Sequence, residues 1–417
     1  MKALFLSYDG LTDPLGGSQI IPYITGLAAS GHKLTVLSFE KPERLSGGRE
    51  AVERRFAGTN VRWIPMRYHR RPPVISTVFD LARMTLAALW HSSRRGISIV
   101  HCRSYVPALA GFVVARAVGA AFVFDMRGFW PDERVEGKLW NLKRAHYRLI
   151  YRFFKKWETR LLTGADAVVC LTENGLREME RWDGMEKLRE KTTVIPCSVD
   201  LDHFDPALYS TEQRNSLRAS LGVEGGELLC GYSGSIGTWY RPEPMFKLFS
   251  MVRETRPRAK FLFLTPDSPA EVLSFAARAG VPASAVIVRH ATRSEMPLLL
   301  RCLDVAFSFI EPSFSKKASS ATKVGEFLAM GIPVVANSGI GDQDQLLSRV
   351  GIVIDDFSAA SLADAVRRLP ALLNLAASEM RSVATEELGL VSAHGRYEDL
   401  YRHAGLKARG GLLRRTE

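Results

Sequence analysis

No stretch of this 417-residue chain runs to about 18 apolar residues without a charge, so no membrane-spanning helix is predicted. Its five cysteines, Cys102, Cys170, Cys197, Cys230 and Cys302, are odd in number, widely scattered and without metal-ligand spacing. They read as thiols of a reducing compartment, not as a disulfide framework or a zinc site. Neither glycine loop that follows a strand spells G-x-G-x-x-G, which argues against a dinucleotide oxidoreductase. Low-complexity segments, repeats of solenoid period and nucleic-acid motifs are absent as well. The opening MKALFLSYDG has one lysine, a short apolar run and no small-residue cleavage site. It reads as a first strand rather than a signal peptide, and a cytoplasmic protein is expected.

What is present is globular in composition, with 46% apolar and 24% charged residues, in a chain too long for one ordinary core. The net charge of +12 calls for an acidic partner, whether nucleic acid, anionic lipid or a phosphorylated ligand. Short apolar runs at Ala3 to Leu6, Leu34 to Phe39, Ser98 to His101, Phe122 to Asp125 and Ala167 to Leu171 alternate with helical patterns. That alternation predicts a doubly wound parallel sheet. TVIPCSVDLDHFDP breaks regular structure, and a hinge is expected near Asp200 to Pro206. The pattern then restarts at Leu228 to Tyr232, Lys260 to Leu264, Ala285 to Val288, Val305 to Phe309 and Pro333 to Ala336. Two α/β domains follow, with ligands expected at the carboxyl ends of their strands, facing across a cleft. Between Lys143 and Arg160, the basic residues Arg144, Arg148, Arg152, Lys155 and Lys156 form one helical stripe, and Tyr147, Ile150, Tyr151 and Phe154 form another. Such a helix suits an anionic membrane surface, or equally its own domain with a solvated basic face.

The richest stretch is KVGEFLAMGIPVVAN, Lys323 to Asn337. Val324, Phe327, Leu328 and Met330 recur at helical spacing, Gly331 supplies a left-handed stop, and Pro333 opens a buried strand. Glu326 is a lone carboxylate inside this apolar unit. Just before it, Ser319, Ser320, Ala321 and Thr322 mark a helix start whose amides can bind phosphate. A carboxylate one turn further in can accept bonds from the hydroxyls of a nucleotide ribose. Gly234 and Gly237 in YSGSIGTWYR would let backbone amides approach phosphate, or simply form a strand-to-helix turn. Trp239 and Tyr240 either stack on a base or sugar or pack in the core. Asp125 and Arg127, after an apolar strand, are expected at its carboxyl end; an Arg127 pair with Asp132 or Glu133 is the structural alternative. Asp342-Gln343-Asp344 spells a metal-type DxD but follows a strand in a loop, and His101 and His290 read as structural.

The segments GGSQIIPYITGLAASGHKLTVLSF, ETRLLTGADAVVCLTENG with VIPCSVDLDHFDP, and the Lys323 stretch occur in order, and together they resemble the GT-B glycosyltransferases of family 4. The resemblance implies two Rossmann-like doubly wound domains, here 1–203 for the acceptor and 204–385 for the nucleotide sugar. A C-terminal helix over 386–404 returns to the first domain, and a basic tail follows over 405–417. Glu326 would be the second glutamate of an E-x7-E motif that binds the donor ribose. The first falls on Ala318, a departure. The resemblance further implies that Lys323, Arg241 and the amides of Ser320, Ala321 and Thr322 support the diphosphate, with Gly234, Ser235 and Gly237 beside it. Gly16 and Gly17 would allow close approach from the N-terminal domain. Arg127 stands where the family commonly has a histidine, with Asp125 on the acceptor side. The implied reaction is metal-independent, retaining transfer from a UDP- or GDP-linked sugar to a glycan acceptor, lipid-linked as in surface-polysaccharide assembly, by a cytoplasmic protein peripheral on the inner membrane face. No nucleic-acid partner is expected. A nucleotide-sugar 2-epimerase or phosphorylase, a soluble acceptor and a non-catalytic nucleotide-sugar or polyanion binder remain alternatives.

Overall fold

The computed structural model describes residues 1–413, with side chains to 406. Residues 414–417, part of the expected basic tail, lie outside the described residues.

One parallel sheet has seven strands: β1 (Lys2–Ser7), β2 (Lys33–Glu40), β3 (Val61–Arg67), β4 (Ile99–Arg103), β5 (Ala121–Asp125), β6 (Ala167–Cys170) and β7 (Thr192–Val194). They run in the order β3-β2-β1-β4-β5-β6-β7, with Leu4 of β1 between Thr35 and Val100. The second sheet has six: β8 (Leu229–Ser233), β9 (Lys260–Leu264), β10 (Val286–Arg289), β11 (Val305–Ser308), β12 (Val334–Asn337) and β13 (Gly351–Ile354). Their order, β10-β9-β8-β11-β12-β13, repeats the doubly wound pattern. Such an order reverses direction beside the first strand of each sheet, and the crevice there is where ligands bind. That places the loops after β1 and β4 at one switch point and those after β8 and β11 at the other.

The chain forms two compact units. Unit 1 comprises Met1–Pro196, Lys317–Ser319 and the chain from Leu390; unit 2 comprises Cys197–Lys316 and Ser320–Gly389. The first boundary therefore falls at Pro196, ahead of the 203/204 division and the Asp200 to Pro206 hinge expected from sequence. The last helix spans Leu390–Leu413, so it starts later than residue 386 and runs on past residue 404 into the stretch expected to be a tail. Its Tyr397 and Tyr401 are buried in the core of unit 1 with Phe5 and Ile24. Unit 2 has two cores, one on each face of its sheet, built around Phe327 and Leu328 on one side and Phe246 and Phe261 on the other.

The amphipathic segment folds as the helix Ala145–Gly164, but its aromatic-aliphatic stripe faces inward. Phe154 is buried against Trp130 at 4.9 Å, and Tyr151 donates to Asp132 at 2.7 Å. Lys155 also leaves the basic stripe, pairing with Asp132 at 2.9 Å and with Glu158. This stripe therefore packs on its own domain, while Leu149 and Phe153 are exposed beside Arg148, Arg152 and Lys156.

Candidate functional site

In unit 2, the helix Thr322–Ala329 begins without a side-chain cap, its N-cap being Ala321. Its first amides are thus open for another acceptor. Ser320 accepts from the Cys197 amide at 3.1 Å, which ties the approach to this helix to the start of the unit. Gly331, at φ 74°, ends the helix in the left-handed turn that the sequence predicts; a Cβ there would lie 2.7 Å from that of Ala377.

Lys323 is buried in the first turn, and its ammonium is boxed in by tyrosines. Nζ donates to Tyr232 Oη at 3.1 Å and lies 4.2 Å and 3.6 Å from the ring centres of Tyr232 and Tyr240. No carboxylate among the described residues pairs with it. Burial pulls its pKa from 10.5 to about 7, with the charge of Glu326 opposing. One turn on, burial pushes Glu326 from 4.5 up to about 7, against the charges of Arg293 and Lys323. Rings supply only quadrupole attraction, so the cation still lacks a full counter-charge.

The loop after β8 closes over this lysine. Gly234, at φ 120°, comes so near that a Cβ would lie 2.8 Å from Lys323 Nζ. Its amide donates to Leu264 O at 2.9 Å, and the Tyr232 hydroxyl bonds the Ser235 carbonyl. Ser235 and Gly237 are exposed, Gly237 at φ 91°. Tyr240 and Trp239 are not free stacking platforms. Tyr240 covers Lys323, and Trp239 lies under the ammonium of buried Lys316 at 3.8 Å. Arg241 departs from its expected role: its guanidinium pairs with Glu311, sits 3.9 Å from Glu243 and lies over Phe357. Its charge is already answered by protein carboxylates.

In unit 1, Asp125 ends β5 fully buried. Tyr397 donates to it at 3.1 Å, and His101, Arg103 and Arg127 stand at 3.6, 3.8 and 3.9 Å. Burial raises the carboxyl's pKa, but Arg127, His101 and Arg103 outweigh it and hold Asp125 below the usual range. Arg127, at φ 56°, is thus turned onto Asp125 and not onto Asp132, which Lys155 and Tyr151 occupy. Gly16 and Gly17 divide in role. A Cβ on Gly16 would fall 2.2 Å from Gly10 O, whereas Gly17 faces open space. The Gly10 turn is itself held by Glu40, which accepts from the amides of Leu11 and Thr12 at 2.8 and 3.1 Å.

Ala318 belongs to unit 1 and is buried. A Cβ on Gly175 would lie 2.8 Å from its own Cβ, and one on Gly128 would lie 3.0 Å from its carbonyl. The space around this residue is sized for a methyl group. Gln343, between the two aspartates of the DxD, donates inward to Asn337 O at 2.9 Å, and among the described residues no group of three His, Cys, Asp or Glu is placed to hold a metal ion. His101 is buried against Phe5 and bonded to Tyr401, while His290 is exposed.

Sequence reasoning missed Glu40, Tyr232, Arg103, Lys316 and Tyr397. Glu40 carried a signal, since it is an acid closing a strand that is uncharged from Leu34 to Phe39; the others depend on pairings across the fold.

Residues 21–203 match the Glycosyltransferase Family 4 profile. A putative teichuronic acid biosynthesis glycosyltransferase, TuaH of Bacillus subtilis (strain 168), is 25% identical over 216 residues, 52% of this chain and 50% of that protein. The match thus spans about half the length of that relative. Among solved structures, a glycosyltransferase from Rickettsia africae ESF-5 aligns over 97% of this chain and 98% of its own, with a TM-score of 0.72 at 15% identity. Anabaena Alr3699/HepE in complex with UDP and glucose aligns over 96% and 98%, with a TM-score of 0.70 at 14% identity. These two likenesses establish the fold, which is GT-B.

Proposed function

We propose that this chain, whose residues 21–203 match the family 4 profile and whose fold is GT-B, transfers a glycosyl group from a nucleotide-diphosphate sugar to a glycan acceptor. The observation that carries the reading is Lys323, a buried cation boxed by Tyr232 and Tyr240, beside an uncapped helix start and a glycine loop. A diphosphate supplies the missing counter-charge and accepts from the open amides of that helix. Glu326, one turn along, takes the ribose hydroxyls.

In the reaction, the bond between the sugar C1 and the β-phosphate oxygen breaks, and C1 bonds to the acceptor oxygen on the same face. The acceptor proton passes to a β-phosphate oxygen, so configuration is retained without an enzyme nucleophile. Charge develops on the leaving diphosphate, where the Lys323 ammonium and the helix amides are already oriented. Asp125, with Arg103 and Arg127, belongs to the acceptor side. The acceptor we favour is a lipid-linked glycan of surface-polysaccharide assembly, a reading supported by the name of the Bacillus subtilis relative and by the net charge of +12. We further propose that no metal is needed, since protein donors meet the diphosphate.

Calorimetric titration of UDP, GDP and ADP, with and without chelator, tests the donor half. Selective binding of one nucleotide, unchanged by chelator, is the expected result; no binding at millimolar concentration sinks it. The pairing of Arg241 with Glu311 favours one second reading, a non-catalytic nucleotide-sugar binder. Labelled sugar transferred to a membrane extract separates the two, because a binder yields no labelled lipid.

A further inference from the structure

The helix Ile75–Arg95 in unit 1 is built inside out. Its buried side consists of Ser76, Asp80, Met84, Ala88, His91 and Ser92, small or polar but for one residue. Its outer side carries Ile75, Val78, Phe79, Leu86 and Trp90, exposed by 67, 62, 53, 68 and 49%. Surface helices place their apolar stripe inward. Single exposed apolar residues are ordinary, but a row along a 21-residue helix, about 30 Å long, is not.

Charge identifies what covers it. Between Tyr68 and Arg95 the only acid is Asp80, which is buried and held by His69 at 2.6 Å and Arg83 at 3.4 Å. Arg70, Arg71, Arg83, Arg94 and Arg95 flank the row with no exposed acid among them. Arg83 lies over Phe79 at 5.6 Å and Arg94 over Trp90 at 4.5 Å, which sets a cation directly beside each exposed aromatic ring. Where the helix ends, a groove of about 460 Å³ is lined by Lys2, Lys33, Arg62, Arg94 and Arg95 and by no carboxylate. A second copy of the chain fits poorly here, since a two-fold contact through this helix would set arginine rows against each other. No helix among the described residues is long and apolar enough to cross a membrane.

We propose that the Ile75–Arg95 helix lies in the plane of an anionic bilayer surface, its apolar row in the headgroup–acyl boundary and the groove at its end taking lipid phosphates. This surface is distinct from the Lys143–Arg160 stripe, and it stands independently of the donor site.

The test is sedimentation of the full chain with phosphatidylcholine vesicles, with and without phosphatidylglycerol. Wild type is expected to bind the anionic vesicles, and Leu86→Glu with Trp90→Glu to lower partitioning roughly tenfold or more, as two apolar anchors become acids. Arg94→Ala with Arg95→Ala is expected to lose about fivefold per charge on anionic vesicles, the loss shrinking in high salt. Both pairs are exposed enough for the fold to survive, which nucleotide titration of each variant checks. Absence of vesicle binding by wild type, or binding indifferent to Leu86→Glu with Trp90→Glu, overturns the proposal. So does a dimer that this variant abolishes, since the helix would then belong to a second copy. Wild type that binds nucleotide but not vesicles defeats this inference alone; wild type that binds vesicles but no nucleotide defeats the donor reading alone.

Discussion

Lys323 and Glu326 stand one helical turn apart and are displaced toward neutrality from opposite directions, each to about 7. In the proposed donor site, binding needs the ammonium charged and the carboxylate ionised. Affinity for the nucleotide diphosphate is therefore expected to peak near pH 7, falling below it as Glu326 takes a proton and above it as Lys323 loses one; calorimetry across pH 5.5 to 8.5, roughly the span these two groups cover, reads the bell. Replacing Glu326 by Ala should weaken nucleotide binding about ten- to a hundredfold, the worth of a hydrogen bond to a charged group, while the melting curve stays cooperative. Lys323→Met should lose donor binding yet raise the thermal midpoint of the free protein. The sign follows from linkage: a lysine whose folded pKa lies below its ordinary 10.5 costs stability fully below pH 7, and the cost fades as pH rises toward 10.5. The gain in Lys323→Met is thus largest in acid. Glu326 stood out in the sequence as a lone acid in an apolar helix, whereas Lys323 was singled out only through the resemblance of its motif. Tyr232 and Tyr240 were not legible in their role, since their closure over Lys323 comes from a strand and a loop about 90 residues earlier, contacts that no local pattern encodes.

At the scale of elements, buried strands were easy to read; of the four edge strands, β10 was read and the other three were not. The runs Phe122 to Asp125 and Lys260 to Leu264 were visible because their central residues, Phe122 to Phe124 and Phe261 to Leu264, are buried and continuously apolar. β3 escaped because it lies at an edge, is only partly buried and contains Pro65; β7 escaped because it is three residues long; β13 alternates between buried and half-buried. The Ala145–Gly164 helix shows the complementary difficulty: its amphipathicity was plain, but amphipathicity does not say which partner the apolar side meets. Glycines separate packing from approach. Gly16→Ala should destabilise by about 1–3 kcal/mol, because the added methyl overlaps the Gly10 carbonyl and the turn that Glu40 holds cannot give way cheaply. Gly17→Ala meets nothing and should leave the melting temperature unchanged or slightly higher. If Gly17→Ala nonetheless slows sugar transfer, close approach at that position is functional; thermal melts alongside transfer assays separate the two effects.

For the whole molecule, the doubly wound character of both sheets was readable from two runs of βα alternation, whereas the shared strand order, β3-β2-β1-β4 and β10-β9-β8-β11, emerges only from the fold. The points where the chain passes between units were less so, because Pro196, Lys317–Ser319 and Leu390 are set by contacts distant in sequence. Unit 1 depends on its last contribution: Tyr397 and Tyr401 bond Asp125 and His101 at 3.1 and 3.0 Å in the buried charge cluster. A chain ending at Gly389 should show faster amide exchange in β4 and β5 with β8–β13 still protected, measurable by hydrogen exchange and mass spectrometry. The same arrangement sets an order on biosynthesis. Asp125 and its arginines leave the ribosome more than 250 residues before Tyr397 does, so the sheet translated first is the one completed last, after unit 2 has already been made. Any message or protease that cuts the product short leaves the first unit with its charges unsealed, and so marks the fragment as unfinished.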